Sequence, residues 1–251
     1  MQDTIGITLS TGAVAYREGG DVFEAFVAHD ERPAAPRPCV LVCHEWSGLS
    51  DPMRGIARRL AGLGYVGFAL DVYGKGTRGD VLGDNSSLMD PLMADRDLLR
   101  RRLLAGYAAA AAHPGVDPGR MAVIGYCFGG LCALDLARAG APGLKGAASF
   151  HGALSPPGLG PQRPIGSSVL LLHGWEDPMA TQGDLLAFAA EMTAAEADWQ
   201  VHAYGHARHA FTFEAADMPE RGILYDEKAA GRSWRAMLLF LEEVLGGAPS
   251  V

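Results

Sequence analysis

The chain has 251 residues, 49% of them hydrophobic and 20% charged, a balance that excludes a disordered polypeptide and suffices for a large core without disulfides. A formal net charge of −8 argues against a nucleic-acid binder, which normally carries a basic footprint. No apolar run approaches the ~20 residues of a membrane span, and the opening Met1-Gln2-Asp3-Thr4 lacks the basic region and apolar core of a signal peptide, so a cytoplasmic protein with one domain over residues 1–251, touching neither membrane nor nucleic acid, is expected.

The first 30 residues offer short strand candidates at Ile5–Leu9, Ala13–Arg17 and Phe23–Ala28, punctuated by Gly12, Gly19 and Gly20 in the manner of an antiparallel opening. Pro33, Pro36 and Pro38 mark a loop. Val40–Cys43 is then apolar without alternation, as in a strand covered on both faces. Residues 52–63 carry helical spacing at Ile56, Leu60 and Leu63. Tyr65–Leu70 is the next strand, and a polar stretch over 74–87 leads into a long helix, roughly 91–112. Strands at Met121–Ile124, Ala147–Phe150, Val169–Leu172 and Trp199–Ala203 alternate with helices over 128–139, 181–195 and 232–245. Such alternation implies βαβ units: an α/β fold with a mostly parallel sheet, helices on both faces and an antiparallel N-terminal strand region. In these sheets the ligand site lies beyond the carboxyl ends of the strands, where polar and reactive residue types are concentrated in this sequence.

Four cysteines occur, Cys39, Cys43, Cys127 and Cys132. Cys39 and Cys43 lie four strand residues apart, ~13 Å, too far for a disulfide. Cys127 and Cys132 would point to opposite sides of a helix, ~7.5 Å apart along it. No pair has redox-motif or zinc-ligand spacing, so Cys39, Cys43 and Cys132 read as small buried hydrophobes, and no metal or cofactor is expected.

Cys127 differs. Gly125-Tyr126-Cys127-Phe128-Gly129-Gly130 follows a strand and precedes a helix, matching the nucleophile elbow G-x-S-x-G with cysteine for serine. The turn is so sharp that flanking side chains would clash, hence glycine. A sulfur at a helix N-terminus is favoured as thiolate by the dipole and free N–H groups, and the Phe128 N–H points where an oxyanion would form. In this architecture the acid and then the histidine follow later strands. Asp177, in His173-Gly174-Trp175-Glu176-Asp177-Pro178, is the candidate acid, with Glu176 as the alternative. His209, in Tyr204-Gly205-His206-Ala207-Arg208-His209-Ala210-Phe211, is the candidate base, with His206 as the alternative; His202 falls within a strand. In this reading His209 accepts the thiol proton, Asp177 fixes its tautomer, and the thiolate attacks an ester or lactone carbonyl to give a thioester that water hydrolyses. Trp46, Trp175 and Tyr73 are candidate pocket-lining aromatics.

These residues resemble the dienelactone hydrolase family, carboxymethylenebutenolidase-like α/β-hydrolases, over about residues 23–245. The matching pieces are His44-Glu45-Trp46-Ser47-Gly48, Ala69-Leu70-Asp71-Val72-Tyr73-Gly74, the cysteine elbow, His173-Gly174 with Asp177, and His209-Ala210-Phe211. The resemblance implies an α/β-hydrolase fold, an ester or lactone as small-molecule substrate, a second oxyanion donor in the Trp46 N–H, and a Glu45 that lies near Cys127 and helps to set when the thiolate forms. Two departures stand out. Family members that take anionic substrates usually have an arginine shortly after Asp-x-Tyr, where this chain has Lys75, and another four residues after the histidine, where it has Phe213. A lysine cannot fork onto a carboxylate, so a broader ester or lactone substrate is expected than dienelactone, with Lys75, Tyr73 and Phe213 as candidate substrate contacts. Two rivals remain: a catalytically silent hydrolase fold used for binding, and a thiol redox enzyme pairing Cys127 with Cys132.

Overall fold

The computed structural model describes residues 8–32 and 36–246. Leu9–Glu18 (β1) and Asp21–Asp30 (β2) form an antiparallel pair closed by a turn at Gly19-Gly20. There follow Arg37–Cys43 (β3), Asp51–Ala61 (α1), Val66–Ala69 (β4), Ser86–Ala94 (α2), Arg96–Ala111 (α3), Val116–Tyr126 (β5), Phe128–Arg138 (α4), Leu144–Phe150 (β6), Ser168–Gly174 (β7), Gln182–Ala194 (α5) and Trp199–Tyr204 (β8). A two-stranded ribbon, Asp217–Met218 (β9) with Ile223–Leu224 (β10), precedes the last helix, Glu227–Leu245 (α6).

Eight strands make one sheet in the order β1-β2-β4-β3-β5-β6-β7-β8. β1 and β2 run antiparallel to their neighbours, and the other six are mutually parallel. Period-two alternation sends successive core side chains to opposite faces. Leu41, Val123 and Leu171 pack under α3, α4 and α5, together with Leu103, Leu131 and Phe188. Val42, Ile124 and Leu172 pack under α1 and α6, with Leu60, Met237 and Leu241. The uninterrupted apolar runs of the parallel strands are the consequence of cover on both sides. Truncating one fully buried leucine, such as Leu60→Ala, is expected to cost about 2–5 kcal/mol.

The structure departs from the sequence pattern in four places. The expected strand at Ile5–Leu9 lies mostly outside the described residues, and β1 runs straight through Gly12. Pro38 lies within β3 rather than in a loop. It sits beyond the first pairing with β4, at Cys39, and at a register shift against β5, where a missing N–H breaks no ladder. The long helix expected over 91–112 is two helices, because Asp95 accepts the Leu98 N–H at 2.9 Å and so caps a new start. Likewise α6 starts at Glu227 rather than near 232, with Asp226 accepting the Ala229 N–H at 2.8 Å.

The carboxyl ends of the parallel strands gather the segments after β3, β4, β5, β6, β7 and β8 at one edge of the sheet. That edge carries the polar and reactive residues singled out in the sequence.

Candidate active site

Cys127 joins β5 directly to α4. Its backbone has φ 54° and ψ −118°, a conformation that side-chain-bearing residues rarely adopt and that persists only when the surroundings over-determine it. The glycines on either side explain how the turn is tolerated. A Cβ on Gly125 would stand 1.9 Å from the Gly129 carbonyl oxygen, and one on Gly129 would stand 2.2 Å from that of Cys43. The elbow is thus jammed against the end of β3, and its sulfur is left partly exposed.

The sulfur faces a histidine. His209 Nε2 lies 3.1 Å from Cys127 Sγ, and His209 Nδ1 lies 2.9 Å from Asp177 Oδ2. The other Asp177 oxygen accepts the Met179 N–H at 2.8 Å. Because a carboxylate only accepts, the proton between Asp177 and His209 is on Nδ1, which aims Nε2 at the sulfur. Asp177 and His209 are both buried. Burial alone would lower the His209 pKa. The facing Cys127 sulfur, the hydrogen bonds that join the ring to Asp177 and Cys127, and the Asp177 charge outweigh it and raise the value to about 10. The three side chains, drawn from segments 82 and 32 residues away from His209, thus form one hydrogen-bonded line.

The two alternatives pair with each other elsewhere. His206 Nδ1 and Glu176 Oε1 are 2.8 Å apart on the surface, with His206 93% exposed. Nothing there holds a proton acceptor in a fixed, dry position.

Among the described residues neither the Trp46 nor the Phe128 amide N–H has a hydrogen-bond acceptor. Phe128 opens α4, so its N–H is one of the four that any helix leaves free. Tyr73 links the two residues. Its ring stacks on Phe128 at 6.0 Å between centroids, and its hydroxyl donates to the Trp46 carbonyl at 2.9 Å. That hydroxyl is therefore committed to the backbone. Buried Asp71 in turn shapes the Tyr73 loop, accepting the N–H groups of Tyr73 and Gly74 at 3.1 Å each.

Glu45 turns into its own loop. One carboxylate oxygen accepts the Ser47 N–H at 2.7 Å, and the other accepts the hydroxyls of Ser47 and Ser50. The hydrogen-bond partner of the Cys127 side chain among the described residues is His209, not Glu45. Lys75 is not joined to the cluster either. Its ammonium lies 2.6 Å from Glu24 on β2, and its side chain is 55% exposed. Phe213 is half-buried in the turn after His209, where its N–H donates to the Ala210 carbonyl. Of the other aromatics, Trp46 packs partly buried against the core and Trp175 stays exposed.

Two features add to the sequence reading, which places His151 at a strand end without giving it a role. The ribbon β9–β10 grips the histidine by its backbone: His209 N–H donates to Gly222, and Leu224 N–H donates to His209. The second is His151, after β6, whose ring stands 5.2 Å from that of His209. The sequence does place a histidine at a strand's carboxyl end, which is the one signal for it.

The sheet order, the strained cysteine elbow and the acid–histidine order after it are those of an α/β-hydrolase. Comparison with known proteins narrows the class. The model of the dienelactone hydrolase family matches residues 23–245. A relative from Escherichia coli named "Putative carboxymethylenebutenolidase" is 28% identical over 243 residues, covering 92% of this chain and 86% of the relative. Among solved structures, a dienelactone hydrolase-like promiscuous phosphotriesterase from metagenomic libraries is 35% identical with a TM-score of 0.86, covering 96% of this chain and 100% of that one. Another, m3DLH, is 37% identical with a TM-score of 0.86, covering 94% and 99%. The chain belongs to the dienelactone hydrolase family, and it is a hydrolase. Among the described residues no helix is long and apolar enough to cross a membrane.

Proposed function

We propose that this hydrolase cleaves carboxylic esters or lactones through a Cys127–His209–Asp177 triad and a thioester intermediate. The observation that carries the reading is the line of two hydrogen bonds, 2.9 and 3.1 Å, ending on a sulfur at a strained elbow. The thiolate attacks the carbonyl carbon, and the C=O electron pair moves to oxygen. That oxyanion is met by the free N–H groups of Phe128 and Trp46. Collapse expels the alcohol oxygen, which takes the Nε2 proton of His209, and leaves the acyl group on sulfur. Water then gives a proton to His209 and attacks the thioester. The second collapse releases the carboxylic acid and restores the thiolate–imidazolium pair. Asp177 holds the Nδ1 proton throughout.

The substrate class follows from charge. With Lys75 paired to Glu24 and phenylalanine at 213, no arginine fork for a substrate carboxylate stands at either position. Esters and lactones without a free carboxylate are therefore the preferred class, and Tyr73 acts by holding the oxyanion donors in place. The similarity to a phosphotriesterase makes a neutral aryl phosphotriester a second substrate to try, since the same N–H groups would meet a phosphoryl oxygen. Four free thiols suit the reducing cytoplasm.

The test is turnover of a chromogenic short-chain ester by the wild type and by Cys127→Ala, with mass spectrometry of the quenched reaction. Turnover that vanishes in the variant, with an acyl adduct on Cys127, supports the reading. Absence of turnover on a panel of esters and lactones would overturn it in favour of a binding role for the fold.

A further inference from the structure

One turn touches all three segments that carry the triad. Phe150 ends β6, and His151 and Gly152 follow it. The Phe150 carbonyl accepts the Cys127 N–H at 3.0 Å, and the His151 N–H donates at 2.9 Å to Leu172 on β7, the strand that leads to Asp177. Gly152 presses on the nucleophile helix, since a Cβ there would stand 2.8 Å from the Gly130 Cα. The His151 ring reaches the third segment. Its Nε2 shares a 2.7 Å hydrogen bond with Thr212 Oγ1. Its centroid lies 5.2 Å from those of both His209 and Phe211, edge to face at 70° and 78°.

This arrangement is held against a backbone preference. His151 has φ 39°, in the left-handed region that a residue with a side chain occupies only when its contacts require it. The residue is 2% exposed, and its Nδ1 has no hydrogen-bond partner among the described residues. Burial, and then the charge on His209, push the His151 pKa well below the ordinary histidine value, so the ring is neutral.

We propose that His151 is a positioning residue for the Cys127–His209 pair, fixing the tilt of the His209 ring and its distance from the sulfur. The geometric reason is simple. The Cβ bond and the hydrogen bonds at Nδ1 and Nε2 fix where the His209 ring lies, but its two side-chain torsions still let the ring rock against its partners. The His151 ring, packed edge to face at 5.2 Å, closes the space into which it would rock. Its bond to Thr212 ties the same ring to the histidine loop, while Phe150 and Gly152 tie the same turn to the elbow. The neutral state matters, because a second imidazolium at this range would repel the charged base. The inference rests on the triad reading above.

Two readouts test it: kcat and KM on the chromogenic ester, and the rate of Cys127 alkylation by iodoacetamide, which needs no substrate. His151→Phe keeps an aromatic ring and loses the bond to Thr212; Thr212→Val loses the same bond and leaves the strained backbone untouched. Each is expected to lower kcat and the alkylation rate about tenfold with KM within about twofold, the pattern of a displaced catalytic group. The double variant should be no slower than His151→Phe alone, because one interaction is removed once. Thr212→Ser, which keeps the hydroxyl, should match the wild type. Unchanged rates in Thr212→Val, an equal loss in Thr212→Ser, or a loss confined to KM would each overturn the proposal. If His151→Phe does not fold, Thr212→Val and Thr212→Ser decide the matter. A wild type that turns over no ester while its Cys127 alkylation still depends on Thr212 would sink the hydrolytic reading and leave the positioning role standing.

Discussion

Cys127 and the other three cysteines carry the same thiol in two unlike settings. Cys39, Cys43 and Cys132 are sealed in the core, where burial pushes their pKa far above the ordinary thiol range. Cys127 lies five residues before Cys132 and one strand over from Cys43, yet it stands on a bend, partly exposed, against the His209 ring. Residue type does not distinguish them. The backbone does, by a positive φ that lifts one sulfur out of the hydrocarbon and sets it at the start of a helix. The proposed mechanism makes reactivity a property of the turn, with cysteine only its bearer.

The comparison can be broken most directly by deletion. Cys127→Ala should lower ester turnover by about six orders of magnitude, the cost of losing a triad nucleophile. Cys132→Ala should leave kcat within about threefold and show its cost in thermal stability instead, as a small cavity in the core. Equal losses of activity would erase the distinction and revive the redox pairing of the two sulfurs.

Labelling sharpens the same contrast. In the folded protein at neutral pH, Cys127 should alkylate about a hundredfold faster than the other three, and in denaturant all four should converge. Peptide mass spectrometry at timed quenches reads both conditions. A Cys39 peptide that labels as fast as the Cys127 peptide in the folded state would remove the elbow's special status.

The smallest expected effect is on stability. The folded-state pKa of His209, about 10, lies above its ordinary value of 6.5. Protonation is therefore bound more tightly in the folded chain, and its contribution is fully present below the ordinary value and lost as pH rises through the folded one. From about pH 8.5, where a free thiol has itself lost its proton, up to the folded value, the wild-type Tm should fall more than that of His209→Gln. Parallel slopes for the two proteins would show that the histidine is not held charged.

Much of the fold is legible in the sequence. Gly125 and Gly129 around Cys127 announce a bend between a strand and a helix, and chain order then picks Asp177 and His209 from several acids and histidines. What the sequence conceals are contacts without a local signature. His151 and Thr212 are 61 residues apart, and no spacing rule joins them. The Glu45 carboxylate is taken by two serines within five residues of it, a local competition that a family resemblance does not weigh. Tyr73 reads as a pocket aromatic, whereas in the fold its hydroxyl is spent on the Trp46 carbonyl. Asp95 is the opposite case: its cap on Leu98 is a local signal, hidden here by apolar periodicity that runs on through the break.

The ribbon β9–β10 has a consequence for how this scaffold can change. Because the backbone of His209 is bonded to Gly222 and Leu224, the chain leaves the base at residue 210 and returns beside it by residue 224. The excursion is a closed stitch with exposed residues at Glu214 and Ala215. Extra length grafted at that tip would add new surface next to the histidine while its main-chain moorings stayed where they are. The stitch thus separates the backbone that moors His209 from the exposed tip beside it.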